Sequence, residues 1–369
     1  METIAIKHRF AGANIRVVSQ ADGLVRLEQE IRDSGDWWFY WRFAARSAVA
    51  QTVVFTFDNG EVVGPYGPAV SSDGMNWTWL AAGRLSPQSF QYTFKEGESV
   101  HFGFSIPYQV HDFESFYARL AGRPGVSRQV LCLSEQLRAV PLLQIGGEKA
   151  AWHVVLTCRH HACESTANYV AEGILNWVFA HPDSGLSRNC RFHVVPFIDI
   201  DGVENGDQGK HRLPHDHNRD YAGTGRYRYR TTEALERYVR QLPANYIGID
   251  LHCPFKWGGL NDIPFVVKRR EPLKSRMETF SARLEETTGR RAESDAIRYF
   301  RSNDLEHGSD WNVNITADCA SMHERAGAFL CFSFEVPYFG VPVPYSIGSL
   351  RRFGSDFAEA LDAYVSVDI

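Results

Sequence analysis

Residues 151–173, AWHVVLTCRHHACESTANYVAEG, join an apolar β-strand pattern to a helix pattern through a short polar turn. The apolar run predicts a buried strand that ends near Arg159, and the periodicity that follows predicts a helix that begins close to Glu164. A strand followed at once by a helix is the repeating unit of α/β folds, in which ligand-binding side chains gather at the carboxyl ends of the strands. His161 and Glu164 lie in such a turn.

The same alternation continues to the end of the chain. Further strand-like runs are RFHVVPFIDI, YIGIDLHC and AFLCFSFEVP, and further helix-like runs are HDFESFYARLAG, TEALERYVRQL and LRRFGSDFAEALDAYVS. Strands that alternate with amphipathic helices indicate helices packed on a largely parallel or mixed sheet. We therefore expect residues 111–369 to form an α/β domain, with a mixed and mostly parallel sheet flanked by helices.

The first 110 residues have a different pattern, with short β-branched or aromatic segments such as IRVVS, TVVFTFD and QYTFKE between Asp, Asn, Gly and Pro. Strands at this spacing favour a β-sandwich, so we expect an all-β sandwich domain over residues 1–110. Within it, the run WWFYWRF at residues 37–43 predicts a strand buried on both faces or against the next domain. An exposed surface that stacks on a sugar is the alternative.

Composition excludes several classes of partner. The net charge of −5 over 369 residues argues against nucleic acid, since proteins that bind it are usually basic. No apolar stretch is long enough to predict a membrane span. The seven cysteines are odd in number and lie mostly in apolar runs, which favours buried reduced thiols and a cytoplasmic location. Nothing in the sequence indicates an oligomeric state.

Four residues from three separate parts of the chain have the chemistry of a metal-dependent hydrolase: His161, Glu164, His252 and Glu335. Two imidazoles and one carboxylate suit zinc and leave a coordination position open for water. Glu335 ends a buried strand, where a carboxylate is costly unless it has a partner or a task such as general base. Asp250, two residues before His252 on the same side of its strand, could orient that imidazole.

Each of these residues also has a plainer interpretation. The His-x-x-Glu pattern is frequent by chance, because a Glu near a helix start interacts favourably with the helix dipole without any metal. His160 competes with His161 as the ligand, although the spacing to Glu164 favours His161. Taken alone, His252 could be a hydrogen-bonded core histidine, and Glu335 could belong to a structural salt bridge.

The segment VVPFIDIDGVENGDQGKHRLPHDHNRDY combines Gly-rich turns with Arg212, Asn218 and Arg219. A guanidinium and an amide on one turn can hold a carboxylate by forked hydrogen bonds. A second arginine can polarise a carbonyl and stabilise an oxyanion. The alternative is a solvated basic loop that binds no ligand.

Taken in order, these motifs resemble the zinc carboxypeptidases of the funnelin type, and within them the cytosolic carboxypeptidase subfamily. RHHACES resembles the family's His-x-x-Glu element, GKHR its turn arginine, HNRDY its Asn-Arg pair, IDLHC its third ligand and FSFEV its catalytic glutamate. DWWFYWRF, VSSDGMNW and FGFSIPYQVHDFESFYARLA are similar to segments of that subfamily's N-terminal β-sandwich. The resemblance therefore spans nearly the whole chain.

The resemblance implies a role for each motif. The implied ligands of a single zinc ion are His161, Glu164 and His252. Glu335 would act as general base and then as general acid. Asn218 and Arg219 would bind the C-terminal carboxylate of a substrate, and Arg212 would stabilise the oxyanion.

The chain departs from the family pattern at three places. DIDG at residues 199–202 replaces the family's Asn-Pro-Asp-Gly, and HHACE lacks the Pro and Gly of the usual ligand turn. The family's mobile, substrate-contacting tyrosine has no counterpart between Phe300 and Tyr338, and Tyr299 is the nearest candidate. These differences leave the metal chemistry intact and leave the substrate preference open.

We therefore expect a zinc-dependent metallocarboxypeptidase that uses an activated water to hydrolyse the C-terminal peptide bond of peptides or proteins. One alternative is a zinc amidohydrolase or deacylase acting on small N-acyl amino acids, which the Asn-Arg pair would serve equally. The other is a non-catalytic protein that only binds C-termini. Glu335 beside a full ligand set argues against that last alternative.

Overall fold

The computed structural model describes residues 3–35, 38–243 and 245–367. Ten strands precede the first α-helix: β1 (Ala5–Lys7), β2 (Arg16–Ala21), β3 (Leu24–Glu28), β4 (Arg42–Arg46), β5 (Gln51–Phe57), β6 (Ala69–Ser71), β7 (Thr78–Trp79), β8 (Arg84–Ser86), β9 (Ser89–Phe94) and β10 (Ser99–Gly103). They form two five-stranded sheets, in the orders β1-β4-β10-β6-β7 and β2-β3-β5-β9-β8.

Aromatic side chains join these two sheets. The ring of Phe55 on β5 lies 5.4 Å, between centroids, from Phe43 on β4 and 5.4 Å from Phe102 on β10. Val53, Phe55 and Phe57 alternate with more exposed neighbours along β5, as expected for a strand with one buried face. The β-rich pattern predicted for this part of the chain is therefore present.

The buried core continues from these sheets into the rest of the molecule. The ring of Phe104 lies 5.2 Å from Tyr338, and that of Trp79 lies 5.1 Å from Phe339. Because this packing crosses the predicted boundary, a separate all-β domain is not established, and the division at residue 110 stays a prediction.

The described part of the aromatic run, residues 38–43, is buried, as expected for a strand packed inside the protein. Trp38, Phe39, Tyr40 and Trp41 are each at most 6% exposed, so these rings offer no surface to a sugar. The observed strand, β4, begins only at Arg42, which is later than predicted. Trp37 lies outside the described residues.

The second part of the chain is an α/β fold. Its strands are β11 (Val126–Leu133), β12 (Ala139–Ile145), β13 (Trp152–Cys158), β14 (Cys190–Val195), β15 (Tyr246–His252), β16 (Phe265–Val267) and β17 (Leu330–Glu335). Its helices are α1 (Val110–Leu120), α2 (Thr166–Ala180), α3 (Gly185–Asn189), α4 (Ile200–Asn205), α5 (Arg230–Val239), α6 (Leu273–Gly289), α7 (Cys319–Arg325) and α8 (Ile347–Val367). Among the described residues, no helix is both long and apolar enough to span a membrane. The seven cysteines are free thiols.

The seven strands form one sheet in the order β11-β12-β14-β13-β15-β17-β16. The four central strands β14, β13, β15 and β17 are parallel, and the three outer strands pair antiparallel. The α/β fold with a mixed sheet is thus confirmed, although its parallel part is limited to the centre. Parallel strands end at one edge, so the residues that follow β13, β15 and β17 meet there.

Helix α2, which follows the His161–Glu164 turn, is fixed against α8 by two glycines. A Cβ on Gly173 would lie 2.1 Å from the carbonyl oxygen of Arg351, and one on Gly354 would lie 2.1 Å from that of Val170. The two backbones therefore approach more closely than any other residue type allows. This contact sets the position of α2 and, through it, of the turn that precedes α2.

We expect Gly354→Ala to destabilise the protein. Alanine favours an isolated helix over glycine by about 1 kcal/mol, but overpacking at a rigid contact costs about 1–3 kcal/mol, and here the obstacle is backbone. A lower urea midpoint with an unchanged m-value would show this loss.

Gly289→Ala, at the end of α6, is the matched control. A Cβ there meets no atom within 4 Å, so the substitution should be neutral or slightly stabilising. Equal midpoints for the two variants would contradict the close-packing account.

Candidate metal centre

The turn between β13 and α2 carries the first two candidate ligands, His161 and Glu164. The chain leaves the strand through Arg159, whose φ of +64° lies in the left-handed region. The guanidinium of Arg159 then spans the turn, because Nε donates to the carbonyl of Ala162 (3.0 Å) and Nη1 to that of Tyr108 (2.7 Å). A buried arginine thus stabilises this turn, which lacks the Pro and Gly found there in the family that the sequence resembles.

The side chains of His161, Glu164 and His252 converge at the carboxyl edge of the sheet. His161 Nδ1 lies 2.8 Å from Glu164 Oε1, and His252 Nδ1 lies 2.8 Å from Glu164 Oε2. The donor atoms all lie within 4.8 Å of one another, and all three residues are buried. Two imidazole nitrogens and a carboxylate around one point can bind a divalent cation. The structure therefore brings the three predicted ligands together.

Each imidazole is oriented through its other ring nitrogen. His161 Nε2 lies 3.2 Å from Asp216 Oδ2, and His252 Nε2 lies 2.6 Å from Asp250 Oδ2. A carboxylate at Nε2 favours the tautomer that carries its proton there, which leaves Nδ1 free to bind an ion. Asp250 has the orienting position expected of it, and Asp216 is a second residue of the same kind.

Glu164 is buried, and its charge is balanced by cationic neighbours. Burial opposes its ionisation, but Lys210, His161 and His252 together lower the pKa of Glu164 well below its usual value. Burial likewise opposes protonation of His252, yet Asp250 and Glu164 raise its pKa well above the usual value. Glu164 is therefore ionised, as a metal ligand must be, and a bound cation would displace protons from the imidazoles.

His160, the competing histidine, turns away from this cluster. Its Nδ1 lies 2.8 Å from Asp250 Oδ1, and its Nε2 lies 2.8 Å from the hydroxyl of Tyr221. His160 thus contacts the carboxylate that orients His252. The position of His161 as candidate ligand agrees with the spacing argument.

Glu335 ends β17 beside His252, its register partner on β15. Burial raises the pKa of its carboxyl group. Its Oε2 has no hydrogen-bond partner among the residues the structure describes. A carboxylate with raised proton affinity and an unused oxygen, in the same cavity as His161 and His252, is suited to take a proton from water.

A cavity of about 510 Å³ opens over these residues, and Asn218 and Arg219 also line it. Asn218 is buried, and its Oδ1 accepts a hydrogen bond from the backbone N–H of Cys319 (2.9 Å). Arg219 donates from Nη1 to the carbonyl of Asn218 (2.7 Å). The pair predicted to bind a carboxylate therefore borders the same cavity as the two candidate histidine ligands.

Aromatic residues border the remaining part of the cavity. Phe255, Phe265 and Trp311 line it, and Trp311 is half exposed. Tyr299 does not take the place of the family's mobile tyrosine, because its side chain is buried and its hydroxyl donates to Asp304 (2.6 Å).

Arg212, expected to stabilise an oxyanion, has a different position. Its guanidinium contacts Asp33 (2.6 Å), Asp199 (2.9 Å) and Asp207 (3.1 Å), and it does not line the cavity formed by the described residues. Three carboxylates around one guanidinium already balance its charge. The structure therefore places Arg212 away from this cavity, where it ties its own loop to Asp33 of the N-terminal part.

Sequence patterns alone do not identify two charged residues of the site, Lys210 and Asp216. Lys210 Nζ donates to Glu164 Oε1 (2.5 Å) and to the carbonyl of Cys253 (2.7 Å). A lysine after a glycine and an aspartate in a polar loop are both common on solvated surfaces. Their only signal is that they lie within the segment that also carries Asn218 and Arg219.

Comparison with known proteins finds similarity to carboxypeptidases, in sequence over part of the chain and in fold over all of it. The chain matches no protein-family model. It is 28% identical over 211 residues to an uncharacterised protein of Zymomonas mobilis, and this match covers 54% of each of the two chains. It is 26% identical over 179 residues to cytosolic carboxypeptidase 6 of Caenorhabditis elegans, covering 45% of this chain and 39% of the relative. The match thus spans about half the length of the curated relatives, or less.

Solved structures resemble the chain over its whole length. A metallo-carboxypeptidase from Burkholderia cenocepacia superposes with a TM-score of 0.83 at 16% identity and covers 100% of both chains. A metallo-carboxypeptidase from Pseudomonas aeruginosa gives a TM-score of 0.79 at 18% identity, covering 98% of this chain and 99% of that one. The predicted resemblance to the funnelin carboxypeptidases is therefore confirmed: the chain has their fold from end to end and shares sequence with a cytosolic carboxypeptidase.

Proposed function

We propose that this chain is a zinc-dependent metallocarboxypeptidase that removes one residue from the C-terminus of a peptide or protein. One observation carries the proposal: His161, Glu164 and His252 converge on one point, and Glu335 lines the same cavity with an oxygen that has no described partner. The fold and the names of the relatives support the same reaction class.

The donor set suits zinc. Two neutral imidazoles with one carboxylate form one of the ligand sets of catalytic zinc sites, which keep a position open. Asp216 and Asp250 hold Nε2 of the two imidazoles, so that both Nδ1 atoms face Glu164. A bound zinc ion would supply Lewis-acid activation of a water molecule and of the scissile carbonyl.

The residues of the chain perform the proton transfers and the binding of the substrate. Glu335 takes a proton from the attacking water and returns it to the nitrogen that leaves, as a general base and then a general acid. Arg219 and Asn218 bind the terminal carboxylate, which explains why a cation and an amide border the cavity. This cavity of about 510 Å³ has the size of a small-molecule site, enough for the last residue of a peptide.

The proposal also includes the partners and the location of the protein. The substrate is the C-terminus of a peptide or protein, and neither nucleic acid nor a membrane takes part. Free, mostly buried thiols and the cytosolic relative support a cytoplasmic location.

We expect the zinc-loaded protein to release a single amino acid from N-blocked dipeptides that differ in their last residue. Glu335→Gln should lower kcat by about 10²- to 10⁴-fold, because it removes the general base while preserving shape. Product analysis and metal content, measured on both proteins, test these outcomes.

Glu286→Gln, an exposed change on α6, is the control for loss of one carboxylate. Release from N-acyl amino acids in place of dipeptides would favour the deacylase alternative. Wild-type kcat in metal-loaded Glu335→Gln would remove the proposed role of that residue.

Arg219→Ala should lower kcat/KM by roughly 10- to 100-fold for substrates with a free terminal carboxylate, because a charge-assisted hydrogen bond is lost. The already slow cleavage of C-terminally amidated substrates should change far less. Arg226→Ala, which removes an exposed arginine of the following loop, is the matched control. Equal losses on free and amidated substrates would exclude carboxylate binding by Arg219.

Asp250→Asn should weaken zinc binding by about 10- to 100-fold, because the charge that orients His252 is lost. Competition with a chelator measures this affinity without relying on activity. Thr157→Val removes the 2.7 Å hydrogen bond to Asp250 but keeps the carboxylate, so its effect should be smaller. Unchanged affinity in Asp250→Asn would show that Asp250 does not tune the site.

A further inference from the structure

A largely buried lysine lies beside the candidate metal ligands and has no part in the reaction as described so far. Lys210 Nζ donates to Glu164 Oε1 (2.5 Å) and to the carbonyl of Cys253 (2.7 Å). Its side chain is only 12% exposed, and it lines the cavity together with His252 and Glu335. An ammonium group is thus fixed next to the point where the proposed reaction takes place.

The backbone that carries this lysine is packed directly on the ligand turn. Gly209 has a φ of +80°, and a Cβ there would lie 2.4 Å from the backbone nitrogen of Ala162. The N–H of Cys163 donates to the carbonyl of Gln208 (3.0 Å). Residues 208 and 209 pack closely on the ligand turn. The backbone of Lys210, the next residue, therefore has little freedom to move away from that turn.

The proposed reaction needs positive charge at two separate places. One balances the terminal carboxylate of the substrate. The other balances the negative charge that develops on the carbonyl oxygen during attack, to which a bound zinc ion would also contribute. Arg219 is available for the first. Arg212 is not available for the second, because Asp33, Asp199 and Asp207 surround it outside the cavity.

We propose that Lys210 is the oxyanion-stabilising residue of this site and performs the task expected of Arg212. This inference rests on the proposed carboxypeptidase function. The ammonium group of Lys210 contacts the carbonyl oxygen of the scissile bond and gains strength as charge builds there.

The step balances as an ordinary hydrolysis. The water oxygen bonds to the carbonyl carbon, the π pair of the carbonyl moves to its oxygen, and Glu335 receives the proton that the water loses. The oxygen next to Lys210 then returns its pair as the carbon–nitrogen bond breaks. The proton held by Glu335 goes to the departing nitrogen, which gives a carboxylic acid and an amine. The proton of the acid then passes to the amine, so that the products are a carboxylate and an ammonium group.

A purely structural role for Lys210 predicts a different effect of its substitution on kcat. A lysine that only balances the charge of Glu164 would affect folding or metal retention, and would leave the kcat of the metal-loaded enzyme close to wild type. The two roles therefore separate in a measurement of rate at full metal occupancy.

The test compares Lys210→Met, which keeps the length and removes the charge, with Lys210→Arg, which restores a cation. Lys274→Met, a change at a partly exposed lysine of α6 that pairs with Glu306, is the control. At equal zinc content, Lys210→Met should lower kcat by about 10²- to 10³-fold with little change in KM, and Lys210→Arg should recover at least part of that loss. A phosphonate dipeptide analogue, whose anionic tetrahedral group mimics the intermediate, should bind Lys210→Met more weakly by a similar factor. The affinity for the released amino acid should stay within a few-fold.

The outcomes are distinguishable. Wild-type kcat in zinc-loaded Lys210→Met overturns this inference alone, as does equal loss of affinity for the phosphonate and for the amino acid product. Zinc-loaded wild-type protein that cleaves no dipeptide overturns the proposed function and this inference together. Loss of zinc from Lys210→Met at saturating metal assigns the residue to metal retention and also overturns the catalytic role.

Discussion

The buried carboxylate of Glu164 is the constraint on which the rest of this structure depends. An ionised carboxylate removed from water costs several kcal/mol unless charged partners and hydrogen bonds surround it. Its partners come from three separate parts of the chain: His161 from its own turn, His252 from the end of β15 and Lys210 from the loop after α4. Convergence of these elements is therefore a condition of stability as well as of metal binding.

The register between β15 and β17 positions the other side chains of the site. Asp250 and His252 lie two residues apart on one face of β15, and they pair with Ser333 and Glu335 on β17. A slip of one residue would turn each of these side chains to the opposite face of the sheet. The same register that buries the apolar residues of both strands therefore sets the orienting carboxylate beside its imidazole and the general base beside the ligand.

The sequence was sufficient for those parts of the site that lie on regular elements. Buried strands and amphipathic helices have distinct periods, so the strand ends that carry His252 and Glu335 could be placed before any coordinates were known. Arg212 and Lys210 could not be separated in this way. They lie two residues apart in a polar loop, and which one faces the cavity depends on Asp33, far earlier in the chain, and on the contact of Gly209 with the ligand turn. Tertiary contacts of this kind leave no periodic signal.

The contacts of the loop also give the N-terminal part of the chain a role in the chemistry. The carbonyl of Gly206 accepts a hydrogen bond from Asn14 Nδ2 (2.9 Å), and Asp207 pairs with Arg32 (2.9 Å). Gln208 Oε1 accepts the backbone N–H of Phe39 (2.7 Å) within the buried aromatic run.

Three consecutive loop residues are thus held from the N-terminal side immediately before Lys210 begins its contact with Glu164. Rigid support of a charged group is what preorganised electrostatic stabilisation requires, since a mobile ammonium would have to reorganise during each turnover. The hydrophobic core that continues between the two parts of the molecule contributes to this rigid support. The aromatic residues that pack the N-terminal sheets against the α/β part also fix the backbone that presents the lysine.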